Sequence, residues 1–194
     1  VGSPRGGLCW NTDIGGTNTY VYAAAIQANG AWDNAFGTGG VKKFNSGITD
    51  FYTAGDIGVD ANGKIYMTGL EWLDNAFVVR MNTSGVLDAS WDGDGAAFIP
   101  TNNTNHWFEV IDLDFDKAGK VLIAGKKYKA NNGSSIPLFW NVMIARFNSN
   151  GSLDGGFATG GIGLYSSGAN NLDEGRRIQV TAQNDYVVIG NTYD

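Results

Sequence analysis

Three carboxylates alternate in the segment IDLDFD and are the first candidates for chemistry. A strand would place Asp112, Asp114 and Asp116 on one face, where a carboxylate set could bind a metal ion or exchange protons with a substrate. The alternative is a solvated face, or ion pairs with Arg80 and Arg146. We favour this alternative, because carboxylates in proteins are usually exposed or paired. We therefore predict no metal site.

The chain has one cysteine and one histidine, and neither is expected to be catalytic. Cys9 and His106 lie far apart in the sequence, so the thiol has no base beside it. A single cysteine also excludes an intrachain disulfide and a multi-cysteine zinc site. The segment WDGDG lacks the further oxygen ligands of an EF-hand loop, and no nucleophile elbow or H-E-x-x-H motif occurs. We expect neither a cofactor nor enzymatic activity.

Composition argues against two other classes of function. The 194 residues include 13 basic and 19 acidic side chains, and the net charge of -6 would repel a phosphate backbone. No apolar run approaches the roughly 20 residues that span a bilayer. We therefore expect no nucleic-acid partner and no membrane span. The 29 glycines, about twice the average share, indicate many tight turns.

The strongest pattern in the sequence is a three-fold internal repeat. The segments NGAWDNAFGTGG, SGVLDASWDGDG and NGSLDGGFATGG share an apolar residue, an aspartate and an aromatic residue before a glycine-rich turn. The segments DIGVDANGKIYMTG, DLDFDKAGKVLIAG and RIQVTAQNDYVVIG recur in phase with them. Short alternating runs of apolar residues indicate strands, and we read four of them in each unit of about 60 residues.

The repeat predicts the role of several single residues. Gly63, Gly119 and Asn184 share one position in a tight turn, where the backbone needs a positive φ. Trp91 aligns with aromatic residues of the other units and is predicted to be in the core. Asp154 is predicted to bind turn amides, while Leu153 and Phe157 plug the core; the aligned core residues are Phe36, Trp91 and Phe157.

We predict an all-β fold of three four-stranded antiparallel meanders, or blades, in a β-propeller-like or prism-like arrangement. Residues 1–18 are assigned to a linker and residues 19–194 to a single β-repeat domain, with units at about 20–75, 76–140 and 141–194. Three blades would make a small ring. We expect open edges to close within one chain or between subunits, and we favour a homo-oligomer over a fragment of a longer propeller.

A family resemblance follows from the motifs. The succession of D-x-x-G-K-I/V, V/A-R-M/F-N and G-x-L-D-x-x-F resembles the delta-60 repeat of bacterial secreted and surface proteins. It covers the chain from about residue 20 onward and is weaker in the first unit, where Gln27 stands in the place of Arg80 and Arg146. The resemblance implies β-propeller-like blades and a secreted or cell-surface location. It carries no catalytic motif.

Strand order predicts where a ligand binds. In an up-and-down meander the repetitive turns share one end of the blade, and the connections of variable length share the other. Variable loops on a fixed framework usually carry binding. They bring together aromatic rings and amides, which suit the C–H faces and hydroxyl groups of sugars, although the rings could instead cap the core. The candidate ligand-binding residues are Trp72, Asp74, Asn105, His106, Trp107, Tyr128 and Trp140.

Three functions remain open from the sequence. We favour a non-enzymatic extracellular recognition module, an adhesin or fibre-tip domain whose loops bind a cell-surface glycan or protein. The second is a structural or assembly segment with no small ligand. The third is a glycan-processing enzyme that uses loop carboxylates, for which the candidates are Glu71, Asp74, Glu109 and Asp173.

Overall fold

The computed structural model describes residues 6–12, 20–44, 51–71, 75–99, 106–130, 137–168 and 171–193. Within these ranges the chain is all β-structure, and none of it forms a helix that could cross a membrane. The strands are β1 (Gly6–Thr12), β2 (Tyr20–Ile26), β3 (Val41–Phe44), β4 (Phe51–Val59), β5 (Ile65–Glu71), β6 (Ala76–Met81), β7 (Ala96–Ile99), β8 (His106–Phe115), β9 (Val121–Ala130), β10 (Pro137–Phe147), β11 (Ile162–Tyr165), β12 (Leu172–Val180) and β13 (Tyr186–Tyr193).

The strands form three sheets. The first has the order β1-β2-β3 and the second β4-β5-β6-β7, while the third has the order β13-β12-β10-β9-β8 with β11 also paired to β10. The pairs are antiparallel except for a parallel bridge between Trp140 of β10 and Leu172 of β12. The predicted all-β class is confirmed. The second sheet has the predicted four strands. The first sheet has three among the described residues, and the third has six, because the parallel bridge joins β12 and β13 to the four strands before them.

Part of the segment assigned to a linker is a strand. β1 lies within residues 1–18 and pairs antiparallel with β2 over its full length. The two glycines at its start have low strand propensity, but ladder hydrogen bonds to a neighbouring strand outweigh such local preferences. The sheets also cross the predicted unit boundary at residue 75, since β5 and β6 pair within one sheet.

The repeated turns have the predicted backbone conformation. Gly63 and Gly119 have φ values of 77° and 74°, and Asn184 has a φ of 71°. Each of these residues donates its amide to the carbonyl three residues earlier, at 2.9 to 3.0 Å. Asparagine is the residue that best replaces glycine in this left-handed conformation. The repeat therefore specifies these turns even where the glycine is absent.

Gly119→Ala is expected to lower the free energy of unfolding by about 1 kcal/mol. No heavy atom of the described residues lies within 4 Å of a Cβ added there, so the cost comes from the positive φ alone. Gly119→Asn is the matched control and should cost less, because Asn184 already adopts this conformation. Urea denaturation of both variants measures the difference, and equal losses would contradict this explanation.

The core lies between successive sheets. β4 packs beside β8, and β8 beside β12, so the first strands of the repeats are neighbours. Trp91 is fully buried between the second and third sheets, and its Nε1 donates to the carbonyl of Val78 at 3.0 Å. Phe36 is also buried, whereas Phe157 is half-buried against a separate cluster. The core position predicted for Trp91 is confirmed.

The repeated aspartates hold the hairpins that follow the third strands. Asp154 accepts the amide of Gly156 at 3.1 Å, as predicted, and its Oδ2 also accepts from Lys120 at 2.6 Å and Arg146 at 2.7 Å. The hydrogen bond from Lys120, helped by those from Gly156 and Arg146, lowers the pKa of Asp154 to about 2. Asp88 has the same arrangement in the second sheet, with the partners Lys64, Arg80 and Ser90.

The carboxylates of IDLDFD bind backbone amides. Asp112 accepts the amide of Ile178 at 2.6 Å. Asp56, at the equivalent position of the preceding repeat, accepts the amide of Leu113 at 3.2 Å. The same link therefore joins β4 to β8 and β8 to β12. The other two carboxylates of IDLDFD also accept backbone amides. Asp114 accepts the amide of Val180, and Asp116 accepts two amides of its own turn. The predicted ion pairs with Arg80 and Arg146 are wrong, because those arginines bind the hairpin aspartates.

Asp112→Asn is expected to change how stability depends on pH. Burial raises the pKa of Asp112, the hydrogen bond from Ile178 opposes this and the Asp56 carboxyl adds to it, so the pKa is about 6. The unfolded chain releases this proton near pH 4, so between about pH 4 and 6 the folded state holds a proton that the unfolded state lacks. The contribution of Asp112 to the free energy of unfolding is fully present below about pH 4 and is lost as the pH rises through about 6.

Asparagine resembles the protonated form at every pH. The stability of Asp112→Asn relative to wild type should therefore rise between pH 4.5 and 7, as measured by urea denaturation at both values. Asp94→Asn is a control at an exposed turn. A difference between Asp112→Asn and wild type that does not change with pH would contradict the raised pKa of Asp112.

Candidate functional site

The backbone brings several predicted site residues to one end of the third sheet. Trp107 of β8 lies opposite Tyr128 of β9, and Tyr128 lies opposite Trp140 of β10, so these positions form one row across the sheet. His106 pairs with Lys129 in the adjacent row. For His106 and Trp107 the structure describes only the backbone. The predicted residues Trp72, Asp74 and Asn105 lie outside the described ranges.

Tyr128 and Trp140 are in contact. Their ring centroids are 5.3 Å apart at 66°, and the centroids of Trp140 and Tyr193 of β13 are 6.2 Å apart at 78°. Edge-to-face pairs of this kind each contribute about 0.5–1.5 kcal/mol beyond burial. Lys126 Nζ lies 4.4 Å from the Trp140 centroid and covers one face of the indole. Lys126 therefore covers one face of Trp140, and the contact of Trp140 with a ligand stays a prediction.

A buried lysine organises the charges at this end. Lys126 Nζ lies 2.8 Å from Glu174 Oε2 and 3.1 Å from Glu109 Oε2, and Glu109 also accepts from the Tyr128 hydroxyl at 2.5 Å. Arg176 approaches Glu174 from the solvent side, with Nε donating at 2.7 Å. Lys126 and Tyr128 also contact the indole of Trp140. We call this group the Lys126 cluster; its members are Glu109, Lys126, Tyr128, Trp140, Glu174 and Arg176.

The Lys126 cluster keeps fixed charges at neutral pH. Burial lowers the pKa of Lys126, but its hydrogen bonds to Glu174, Tyr128 and Glu109 outweigh this and leave the pKa above the usual range. Burial raises the pKa of Glu174, but hydrogen bonds from Lys126, Asn191 and Arg176 lower it to about 2. Burial and the bond to Glu109 raise the pKa of Tyr128 to about 12. Such groups present fixed donors and acceptors and are poor proton-transfer catalysts.

A pocket of about 480 Å³ opens beside the Lys126 cluster, a volume typical of small-molecule sites. Glu109, Tyr128 and Arg176 supply its polar wall, and Leu70 and Phe108 supply apolar surface. The side chain of Glu109 is 37% exposed and that of Arg176 50% exposed, so both are reachable from solvent. Backbone and side chains of β4 and β8 complete the pocket through Thr53, Ala54, Gly55, Val110 and Ile111.

The sequence interpretation missed three of the six members of the Lys126 cluster. Lys126, Glu174 and Arg176 lie within strands, whereas the sequence predicted a binding site formed by the variable loops. Gly69 of the second sheet and Gly125 of the third occupy the same register position. Leu70 follows the first glycine and Lys126 the second, so a lysine replaces a buried leucine of the repeat. This replacement was the signal in the sequence that could have identified Lys126. Of the other members, the sequence predicted Tyr128 and Trp140 as ligand-binding residues and Glu109 as a candidate catalytic carboxylate.

The other carboxylates considered for catalysis give no constellation in the described part of the chain. Asp173 is buried and accepts hydrogen bonds from Ser166 and from the amide and hydroxyl of Ser167, so it fixes a turn. The side chain of Glu71 and all of Asp74 lie outside what the structure describes. Among the described residues no group of three His, Cys, Asp or Glu side chains could hold a metal ion.

No protein-family model matches the chain, and no curated protein is similar enough to count as a relative. The resemblance to the delta-60 repeat therefore depends on the motifs quoted above and on nothing else.

Proposed function

We propose that the protein is a non-enzymatic recognition module that binds a glycan in the pocket beside the Lys126 cluster. The observation that carries this proposal is the pocket wall itself, where Glu109, Tyr128 and Arg176 lie next to Leu70 and Phe108. A sugar presents hydroxyl groups around its rim and C–H groups on its faces. The carboxylate accepts from hydroxyls, the guanidinium donates to ring or hydroxyl oxygens, and the apolar side chains cover the C–H face.

The fixed charges of the Lys126 cluster support binding over catalysis. A glycosidase needs one carboxylic acid with a raised pKa beside a carboxylate. Glu174 has the opposite property, since it is buried and its pKa is lowered to about 2. A site whose donors and acceptors are already held in place binds a polar ligand without reorganisation.

We further propose a β-propeller-like succession of sheets in a secreted or cell-surface protein, such as an adhesin or fibre-tip domain. The neighbouring first strands β4, β8 and β12 support this arrangement, since the inner strands of propeller blades surround a common axis. The secreted location is supported by the delta-60 motifs. The Asp56 and Asp112 hydrogen bonds between first strands would hold successive repeats at a constant spacing.

A glycan array tests the proposed activity. We expect saturable binding by the wild type and a loss of about tenfold or more for Arg176→Ala, as expected for removal of a charged hydrogen-bond donor. Arg177→Ala is the matched control, because this neighbouring arginine lines a different pocket together with Asp112 and Asp114. Retained binding by Arg176→Ala would contradict the assigned site, and no binding by the wild type would favour a structural or assembly segment.

A further inference from the structure

The same two positions of the repeat carry different residues at its two boundaries. We number the repeats by their strands, so that β4–β7 form the first, β8–β11 the second, and β12 and β13 the third. The ladders give each repeat one equivalent pair from its first and second strands: Thr53 with Leu70, Glu109 with Lys126, and Glu174 with Asn191. Lys126 reaches Glu174 across the second boundary, and Leu70 lies beside Glu109 in the pocket at the first boundary.

Glu174 shows how the repeat satisfies a carboxylate at this position. Its Oε2 accepts from Lys126 at 2.8 Å, and its Oε1 accepts from Arg176 Nε at 2.7 Å and from Asn191 at 3.0 Å. Lys126 comes from the preceding repeat, and Arg176 is the extra residue of a β-bulge, which re-aims a side chain. Glu174 therefore has two cationic partners, and it is 1% exposed.

Glu109 lacks the equivalent partners. Leu70 stands at the position of the lysine, and Ile111, the extra residue of the corresponding bulge, stands at the position of the arginine. Glu109 Oε2 lies 3.1 Å from Lys126, a cation that it shares with Glu174. Its Oε1 accepts no hydrogen bond from the described residues. The first boundary therefore has one cation fewer around its carboxylate than the second.

The space left by these replacements is the pocket of the proposed function. Leu70, Glu109 and Ile111 all line its volume of about 480 Å³. Phe108 and Tyr128 line it as well, and the faces of aromatic rings attract cations. The side chain of Glu109 is 37% exposed, so a ligand in the pocket can reach its carboxylate. The pocket thus combines apolar and aromatic surface with a carboxylate oxygen that lacks a donor.

The cations near the pocket leave this oxygen available. Arg176, the cation in the pocket wall, is compensated by Glu174, whose Oε1 lies 2.7 Å from Nε and 2.5 Å from Nη2. Lys127 Nζ lies 5.5 Å from the Phe108 ring, but Lys127 is not among the described residues that line the pocket. The net charge of -6 attracts cationic ligands over longer distances. These charges favour a ligand that brings its own cation to Glu109.

We propose that the bound glycan carries a positively charged amino group, as a hexosamine without an N-acetyl group does, and that this group pairs with Glu109. The ammonium takes the place beside Glu109 that Lys126 Nζ has beside Glu174, and Glu109 Oε1 accepts its hydrogen bond. The sugar ring covers Leu70 and Phe108. Glu109 is thus the residue that selects an amino sugar. This inference rests on the proposed function, because it names the class of glycan for the same pocket.

Two tetrasaccharides of the same linkage test the proposal, one of glucosamine and one of N-acetylglucosamine. Calorimetric titration of the full chain at about pH 6, where a sugar amine is protonated, should show that glucosamine binds about tenfold or more tightly. Glu109→Gln should remove this preference, because the amide keeps an oxygen for Lys126 and Tyr128 but has no charge. Asp94→Asn removes a carboxylate from an exposed turn and should retain the preference.

Leu70→Lys copies the second boundary into the first. Its ammonium should occupy the proposed position beside Glu109 and weaken binding of the glucosamine tetrasaccharide about tenfold or more. Leu70→Met adds length without charge and should lose less affinity than Leu70→Lys. Circular dichroism of both variants checks the fold. Equal losses from the two substitutions would contradict the assigned place of the amino group.

The outcomes separate this inference from the proposed function. Equal affinity of the wild type for the two tetrasaccharides, or a preference that Glu109→Gln leaves intact, would overturn the selection of an amino sugar while the pocket remains a glycan site. Binding of other glycans on the array, with neither tetrasaccharide bound, would overturn it in the same way. No binding of any glycan would contradict the proposed function itself.

Discussion

Lys126→Met is expected to lower the free energy of unfolding by about 3–5 kcal/mol, the usual cost of removing one partner of a buried ion pair. Lys126 and Glu174 are both buried, and 2.8 Å separates their charged atoms. Methionine fills much of the lysine volume, so the loss reflects the missing cation beside Glu174 Oε2 more than a cavity. Urea denaturation at pH 7 measures the change.

Arg176→Ala is the matched control, because Arg176 binds the same carboxylate from an exposed position. Its effect should stay below about 1 kcal/mol. The double variant Lys126→Met/Glu174→Gln should recover part of the loss, because the buried charge is then gone. A loss of similar size in Lys126→Met and Arg176→Ala, or no recovery in the double variant, would show that the buried pair does not hold this end of the sheets together.

Acid should weaken the same interaction in wild type. The folded pKa of Glu174 is about 2, below its ordinary value, so its stabilisation is fully present above the unfolded pKa of about 4.3. That stabilisation declines as the pH falls through 4 toward 2. The Lys126→Met variant lacks the pair and should lose less stability over this range.

Trp91→Ala is expected to cost about 3–5 kcal/mol, as large-to-small substitutions of buried aromatic residues do. The indole is fully buried, it meets Tyr66 edge-on with centroids 5.4 Å apart, and the guanidinium of Arg80 lies 5.2 Å from its ring. Its removal leaves a cavity between the second and third sheets and removes the hydrogen bond to the Val78 carbonyl.

Trp32→Ala provides the comparison within the same chain. Trp32 is 53% exposed although it belongs to the same repeated segment. Its substitution should change stability by about 0.5 kcal/mol or less. Thermal and urea denaturation of both variants, with circular dichroism to check the fold, test the difference. Similar losses from the two tryptophans would contradict the packing described for the hairpins.

The features that the sequence predicted correctly are local and repeated. Gly119 and Asn184 adopt the same turn because a positive φ selects the residue type at one position, and three copies make this visible. Trp91 could be placed in the core by alignment with Phe36 for the same reason. A requirement that returns in every copy leaves a pattern that one sequence can reveal.

The features that the sequence did not predict depend on contacts between repeats. Lys126 and Glu174 are 48 residues apart and meet because β12 of the third repeat packs against β9 of the second. The contact of Lys126 with one face of Trp140 also arises from three-dimensional packing, which the sequence pattern does not reveal. The hydrogen bond from Ile178 to Asp112 satisfies a backbone amide of the next repeat, which side-chain pairing rules do not anticipate.

Hydrogen–deuterium exchange in the presence of a glycan tests most directly which end of the sheets is functional. With the glycan that binds most strongly on the array, we predict increased protection around Thr53–Gly55, Phe108–Ile111 and Tyr128, which line the pocket. The turns at Asp60–Lys64 and Asp116–Lys120, at the opposite ends of these strands, should exchange unchanged. Protection at those turns with none at the pocket would contradict the assignment of the binding site.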